Sequence, residues 1–179
     1  MQGLKIVGMC ILAAVGYGIV HDQITTRICL EYFTVFHPPI LGGTQSPTML
    51  AFGWGVIATW WVGALLGVPL SLIARVGSRR RISASELLPM IGILLLVMAV
   101  CALVAGVIGY YRGTTPPYVA ISIPSEAHRR FAADWWAHSA SYASGFFGGM
   151  VIWILALWKR LSARSAVNSV KGIPINVSD

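Results

Sequence analysis

Charge is scarce in this chain. Only 11% of its 179 residues are charged, whereas 56% are hydrophobic; charged residues make up roughly 25% of a typical soluble domain. Four stretches contain no Asp, Glu, Lys or Arg at all. They cover residues 6–20, 49–73, 87–111 and 139–158. This distribution argues against a water-soluble globular domain.

The length of these stretches predicts membrane spans, because crossing a bilayer takes about 20 mostly apolar residues. Backbone amides in lipid must find partners within the chain, which favours helices. Continuous rather than alternating apolar runs exclude a β-barrel. We therefore predict an all-α integral membrane protein, a four-transmembrane-helix bundle. The predicted spans are about 4–21, 48–73, 86–110 and 134–158; they form one domain, 1–166, followed by a polar cytoplasmic tail, 167–179.

The first apolar stretch has a second interpretation. Lys5, a short apolar run and then small residues such as Ala13 and Ala14 also describe a secretory signal peptide. His21 and Asp22 follow the run directly, without a clear small-residue cleavage site. We favour a retained span and leave cleavage open as the alternative.

Cysteine is also scarce. The three cysteines are too few and too scattered for a disulfide framework, and no CxxC pair occurs. Cys10 and Cys101 lie inside predicted spans, where a small apolar role is typical, and Cys29 lies outside them. Disulfide-rich and CxxC-type metal-binding classes are therefore excluded.

The basic residues predict the orientation, because cytoplasmic loops collect Lys and Arg. Nine basic residues fall on one side of the predicted bundle and four on the other. The nine are Lys5, Arg75, Arg79, Arg80, Arg81, Lys159, Arg160, Arg164 and Lys171; the four are Arg27, Arg112, Arg129 and Arg130. We predict a multi-pass protein of the cell membrane with both termini cytoplasmic. Because the cluster at 79–81 is short, the net charge of +7 suits anionic lipid headgroups and not nucleic acid.

The two predicted external segments, 22–46 and 111–133, contain alternating apolar patterns. Residues 28–36 and 118–123 each read as a strand. We predict that they pair as a small two-stranded extracytoplasmic cap, which must rest on the helix ends because two strands alone are marginal.

Local signals mark helix starts and close packing. Ser46-Pro47 is typical of an N-cap followed by proline at the first helical position. Ser83 to Glu86 reads as a capping box. Small residues at helical spacing predict faces where helices approach closely. These helix-packing residues are Gly63, Gly67, Gly145 and Gly149.

The histidines and carboxylates gather on one side of the predicted bundle. All four histidines and four of the six carboxylates fall at or beyond its extracytoplasmic face. They are His21, Asp22, Glu31, His37, Glu126, His128, Asp134 and His138. Ionisable groups near the hydrocarbon are costly and need partners, so this asymmetry predicts a polar site.

One functional hypothesis for this site is a metal centre. Two or three histidines with one carboxylate are a usual ligand set for zinc or iron. Asp134 and His138 share a helix face at i, i+4, and His21 should arrive at a similar depth. We predict His21, Asp134 and His138 as ligands, with Asp22, His37 and His128 as additional candidates. Asp22 and Glu31 are the candidates for moving protons in an enzymatic version.

Three other interpretations remain open at this point. The histidines can be hydrogen-bonded structural residues. Aromatic residues near the same interface can line a pocket for a quinone or a lipid. The chain can also be a non-catalytic accessory or assembly subunit, whose small-residue faces bind partner membrane subunits or a second copy of itself. The sequence does not decide whether the protein is an enzyme.

Overall fold

The computed structural model describes residues 1–171, which form helices joined by turns. The helices are α1 (Gln2–Ile28), α2 (Leu30–Thr34), α3 (Pro47–Ile57), α4 (Trp60–Arg75), α5 (Ala84–Arg112), α6 (Pro117–Ala120) and α7 (His128–Lys171), with a 3₁₀ turn at Ser125–Ala127 before α7. Residues 167–171 of the predicted tail continue α7, and 172–179 lie outside the described residues.

Four helical segments are long and apolar enough to cross a membrane, as predicted. They are Gln2–Ile28, Pro47–Arg75, Ala84–Arg112 and Ser125–Ser162, with mean hydropathies of 1.9, 1.9, 3.0 and 1.6. Large apolar side chains such as Leu4, Ile93 and Leu103 point outwards, each more than 60% exposed. A soluble protein rarely exposes so much apolar surface, whereas a bilayer covers it.

The predicted strands are wrong, and the structure contains no strand within residues 1–171. Residues 28–36 contain helix α2, and residues 118–123 overlap helix α6. A strand would point neighbouring side chains to opposite faces. Here Cys29, Tyr32 and Phe33 are all buried, at i, i+3 and i+4, because both segments pack onto the bundle instead of pairing with each other.

Two signals for helix starts are confirmed. The Ser46 hydroxyl accepts a hydrogen bond from the Met49 amide (3.4 Å), so Ser46 caps α3. Ser83 and Glu86 form the reciprocal hydrogen bonds of a capping box at the start of α5. Both features are local and follow from sequence alone.

The bundle consists of two helix pairs, in which α3 and α4 count as one membrane-spanning segment. In the first pair α1 packs along α3 and α4, and in the second α5 packs along α7. The two pairs meet mainly where α4 contacts α7 and where α1 contacts α5. Gly63 and Gly67 allow α4 to approach α1: a Cβ on Gly63 would lie 2.6 Å from Ile11 Cα, and one on Gly67 would lie 2.8 Å from Cys10 Cβ. Gly145 and Gly149 instead face Met98 of α5 and Leu66 of α4. These four glycines therefore face neighbouring helices of the same chain.

Arg160 fastens one end of the bundle, which we call the basic end. This end contains Lys5, Lys159, Arg160 and the connection 75–81. The buried guanidinium of Arg160 donates to the carbonyl oxygens of Ile73, Val76 (2.8 Å), Arg79 (3.4 Å) and Arg80 (2.7 Å). One side chain thus holds the turn between α4 and α5 against α7.

Candidate functional site

Three predicted residues converge at the opposite end of the bundle, which we call the histidine end. His21 and Asp22 come from α1 and His138 comes from α7. Each offers one ligand-type atom, and these atoms all lie within 4.8 Å of one another. Asp22 and His138 are 116 residues apart in the sequence but close in space, because α1 and α7 lie in the same bundle.

Helix α1 continues beyond the predicted span, so His21 and Asp22 lie within the helix and not at its end. The hydroxyl groups of Thr25 and Thr26 donate to the carbonyl oxygens of His21 (3.2 Å) and Asp22 (2.7 Å). Both threonines are buried. This back-bonding satisfies polar groups inside the helix, and the two site residues therefore sit on a regular helical scaffold.

Three neighbouring groups hold the His138 ring in one orientation. Its Nδ1–H donates to the carbonyl oxygen of Asp134 (2.8 Å). The Tyr32 ring stacks on it with centroids 4.6 Å apart, and the His21 ring meets it edge-on, also at 4.6 Å. Because a carbonyl only accepts, Nδ1 carries the proton, and the Nε2 of a neutral ring then has a free lone pair.

That Nε2 faces a carboxylate. It lies 3.2 Å from Asp22 Oδ1, and Asp22 is only 5% exposed. A lone pair facing a carboxylate is unfavourable unless a proton or a cation lies between them. A histidine that donates its other N–H to a backbone carbonyl is the usual arrangement of a metal ligand.

His21 completes the group. Its Nε2 is buried and has no hydrogen-bond partner among the described residues, which is costly for a polar atom in a protein interior. Zinc bonds of about 2.1 Å place tetrahedral ligands roughly 3.4 Å apart. At 3.2 Å the pair of His138 Nε2 and Asp22 Oδ1 is already close to this separation, and the ligand-type atoms of the three residues all lie within 4.8 Å of one another.

Asp134 does not contribute its carboxylate to this group. Its backbone carbonyl orients His138, while neither side-chain oxygen has a hydrogen-bond partner in the described part of the chain, although the residue is fully buried. The i, i+4 spacing thus brings the backbone carbonyl of Asp134, and not its carboxylate, to His138, and the role of Asp134 as a ligand stays a prediction. Asp22, predicted as an additional ligand or a proton carrier, supplies the carboxylate of the converging group.

The remaining candidates lie apart from the three ligand-type atoms. Glu31 accepts a hydrogen bond from the Cys29 thiol (3.4 Å). His128 Nε2 lies 3.2 Å from the Ala120 carbonyl oxygen, which ties α6 to α7. His37 donates from Nδ1 to the Tyr32 carbonyl oxygen (2.8 Å), and its ring lies 4.6 Å from that of Trp54. None of the three belongs to the converging group.

The aromatic surroundings of His37 predict a pH dependence of stability. Burial lowers the pKa of His37, and the nearby His138 lowers it further, while the hydrogen bond to Tyr32 and the Asp22 carboxylate raise it in part. A base with a lowered pKa in the folded state stabilises the protein above the unfolded pKa of about 6.5 and loses that contribution as the pH falls towards the folded pKa.

We therefore expect His37→Asn to flatten the pH dependence of unfolding below about pH 6.5. Thermal unfolding in detergent at pH 8, 6 and 5 measures this, with wild type losing more stability on acidification than the variant. Equal losses in both proteins would show that His37 does not prefer its neutral form.

A long cavity begins at this site and has a volume of about 110 Å³. Tyr17, which the sequence analysis overlooked, lines it and shares a hydrogen bond with Ser141 (2.8 Å). Tyr17 lies four residues before His21 and stacks on its ring with centroids 5.7 Å apart. Because Tyr17 and His21 are four residues apart in α1, the sequence already indicates that they share one face of that helix.

Comparison with known proteins gives no relative: no protein family, no curated protein and no solved structure matches this chain.

Proposed function

We propose that this membrane protein binds zinc or iron at the histidine end, through His21 Nε2, one carboxylate oxygen of Asp22 and His138 Nε2. The observation that carries the proposal is the pairing of His138 Nε2 with Asp22 Oδ1 at 3.2 Å beside the unpartnered Nε2 of His21. A cation at their centre would satisfy all three groups at once.

Two histidines and one carboxylate suit a reactive site more than a purely structural one. Structural zinc sites usually have four protein ligands, whereas three leave a position for water or a substrate. The same set also binds iron(II) with open positions. A metal at such a site lowers the pKa of bound water or polarises a substrate oxygen. The residues of this chain would hold the ion, keep His138 in its required tautomer and shield the site with Tyr32 and Phe33.

The proposal also places the site on the extracytoplasmic side. The structure brings Lys5, the connection 75–81, Lys159 and Arg160 to the basic end, opposite the histidine end. Under the positive-inside rule the basic end faces the cytoplasm. This arrangement supports cytoplasmic termini and a metal site reached from outside.

Metal analysis of the purified protein tests this function. After purification in detergent and loading with zinc or iron(II), we expect about one ion per chain in the wild type. His138→Ala and Asp22→Asn should each weaken metal binding at least about tenfold, because even outer-shell changes cost this much.

His128→Ala is the matched control, since it removes a histidine from the same helix but outside the group. It should keep the wild-type metal content. Failure of the loaded wild type to retain zinc or iron, or equal retention in all four proteins, would refute the metal site. Circular dichroism of each variant separates lost binding from lost folding.

A further inference from the structure

The cavity beside the site lies between the two helix pairs and is elongated. On α1 it extends from Cys10 to Asp22, and on α7 from His138 to Trp153. At 1.5 Å per residue these stretches are about 18 Å and 22 Å long. Leu70, Ile91 and Ile152 line it far from the histidines. It is therefore elongated along the bundle, and we call it the channel; at about 110 Å³ it encloses only part of a long hydrocarbon tail.

The walls of this channel are mostly apolar. Ala13, Val62, Leu66, Leu94 and Met98 contribute hydrocarbon surface along its length. Trp153 also lines it, but its indole N–H already donates to the Leu66 carbonyl oxygen (2.9 Å) and is satisfied. Pockets of this kind, between the helices of a bundle and with a few polar groups in one place, are typical ligand sites.

The buried ionisable groups lie at one end. Asp22 is 5% exposed and faces His138 Nε2 at 3.2 Å. His21 Nε2 is buried and has no hydrogen-bond partner among the described residues, and both residues line the cavity. Tyr17 and Ser141, further along, are already paired with each other. The channel thus offers hydrogen-bonding or coordinating groups at the histidine end and hydrocarbon elsewhere. A complementary molecule has a polar head and one long tail.

The charge of the site disfavours an anionic head, and because Asp22 already faces His138 Nε2 at 3.2 Å, a cationic head is not needed there. The Asp22 carboxylate faces the head position, and no lysine or arginine of the described residues lines the cavity. An anionic head would meet the like charge of Asp22 in a poorly solvated place, which is unfavourable. An oxygen in a carbonyl or hydroxyl group can instead partner His21 without adding charge.

We propose that this cavity binds a neutral lipid with a single tail, which lies between the helix pairs, while a carbonyl or hydroxyl oxygen of its head lies beside His21 and Asp22. Isoprenoid quinones and long-chain alcohols share this chemistry. The site shares two residues with the metal site proposed above, but tail binding does not require the ion.

Native mass spectrometry of chelator-treated protein in detergent tests the lipid class. The probes are hexadecanol, a decyl-substituted benzoquinone, palmitate and phosphatidylcholine. We expect one of the neutral single-tailed probes to bind at one per chain, and the one that binds identifies the source. Palmitate should bind at least about tenfold more weakly because of Asp22. Equal binding of phosphatidylcholine, or of palmitate, or binding of neither neutral probe overturns the proposal.

A matched pair of variants on α4 tests the location. Val62→Phe fills the cavity, whereas Val68→Phe makes the same change at a position that is 47% exposed and outside it. We expect the first variant to lose about tenfold or more in affinity for the bound probe and the second to keep it. Ala13→Leu on α1 repeats the test from the opposite wall, in case Val62→Phe does not fold.

Metal content measured on the same samples keeps the two proposals separate. Val62→Phe and Ala13→Leu should retain the metal of the wild type while losing the lipid. Unchanged probe binding in both, or an equal loss in Val68→Phe, refutes the lipid site even where the metal site holds.

Discussion

Replacing Arg160 by methionine is expected to lower the free energy of unfolding by about 3–5 kcal/mol. The guanidinium is 5% exposed and donates to four backbone carbonyl oxygens in the connection between α4 and α5. A hydrogen bond from a charged donor contributes about 1.5–3 kcal/mol. Val76, Arg79 and Arg80 are exposed, so water replaces part of this contribution in the variant.

Lys159→Met is the control for this change, because it removes the neighbouring positive charge. Lys159 is one-third exposed and pairs with Glu86 at 3.3 Å. Exposed ion pairs contribute little, so we expect a loss below about 1 kcal/mol. Unfolding in mixed detergent micelles titrated with sodium dodecyl sulfate measures both variants. If they prove equally stable, Arg160 does not anchor the turn.

Adding one methyl group to Gly63 is the second change with a large expected effect. The new Cβ would lie 2.6 Å from Ile11 Cα and 2.7 Å from the Cys10 carbonyl oxygen. Both atoms belong to the α1 backbone, so the clash is relieved only if the helices move apart. Such overpacking typically costs 1–3 kcal/mol, and we expect a loss of about 2 kcal/mol in Gly63→Ala.

Gly8→Ala is the matched control, because a Cβ there meets nothing within 4 Å. Alanine has the higher helix propensity, so this change should be neutral or stabilising by up to about 1 kcal/mol. The same detergent titration compares the two. A fully stable Gly63→Ala would mean that α1 and α4 do not approach as closely as described.

The same contact bears on the accessory-subunit hypothesis. That hypothesis used Gly63, Gly67, Gly145 and Gly149 as faces for partner helices. Each of them instead faces a helix or side chain of the same chain. Binding of partner membrane subunits or of a second copy stays a prediction, and these four glycines do not supply a free face for it.

Much of the fold is local and could be read from the sequence. The four apolar segments, the Ser46 cap and the Ser83 capping box depend on residues close in the chain, and all are present. The predicted strands failed because alternation over a few residues does not say which surface lies nearby. The i, i+3, i+4 spacing of Cys29, Tyr32 and Phe33 indicates a helix with one buried face. That face is buried because α7 supplies Phe131 to the same cluster.

The site was only half determined by sequence. Composition placed the histidines and carboxylates at one end of the chain's spans, because polar residues in apolar helices are conspicuous. Composition does not say whether Asp22 or Asp134 supplies a carboxylate next to His138. Asp134 is four residues from His138 and Asp22 is 116 residues away, and composition is silent on which lies closer in space. The helical register of α1 against α7 brings Asp22, and not the side chain of Asp134, next to His138 Nε2.

By itself, the sequence determined that the chain forms apolar helices with most of its basic residues at one end and its histidines at the other, because hydropathy and charge act on each segment separately. Tertiary structure alone decided that His21, Asp22 and His138 meet and that a channel opens beside them. The physical reason is that close packing at Gly63 and Gly67 sets the distance between α4 and α1. The contacts between the two helix pairs set the size of the space between those pairs, and no local sequence pattern encodes these contacts.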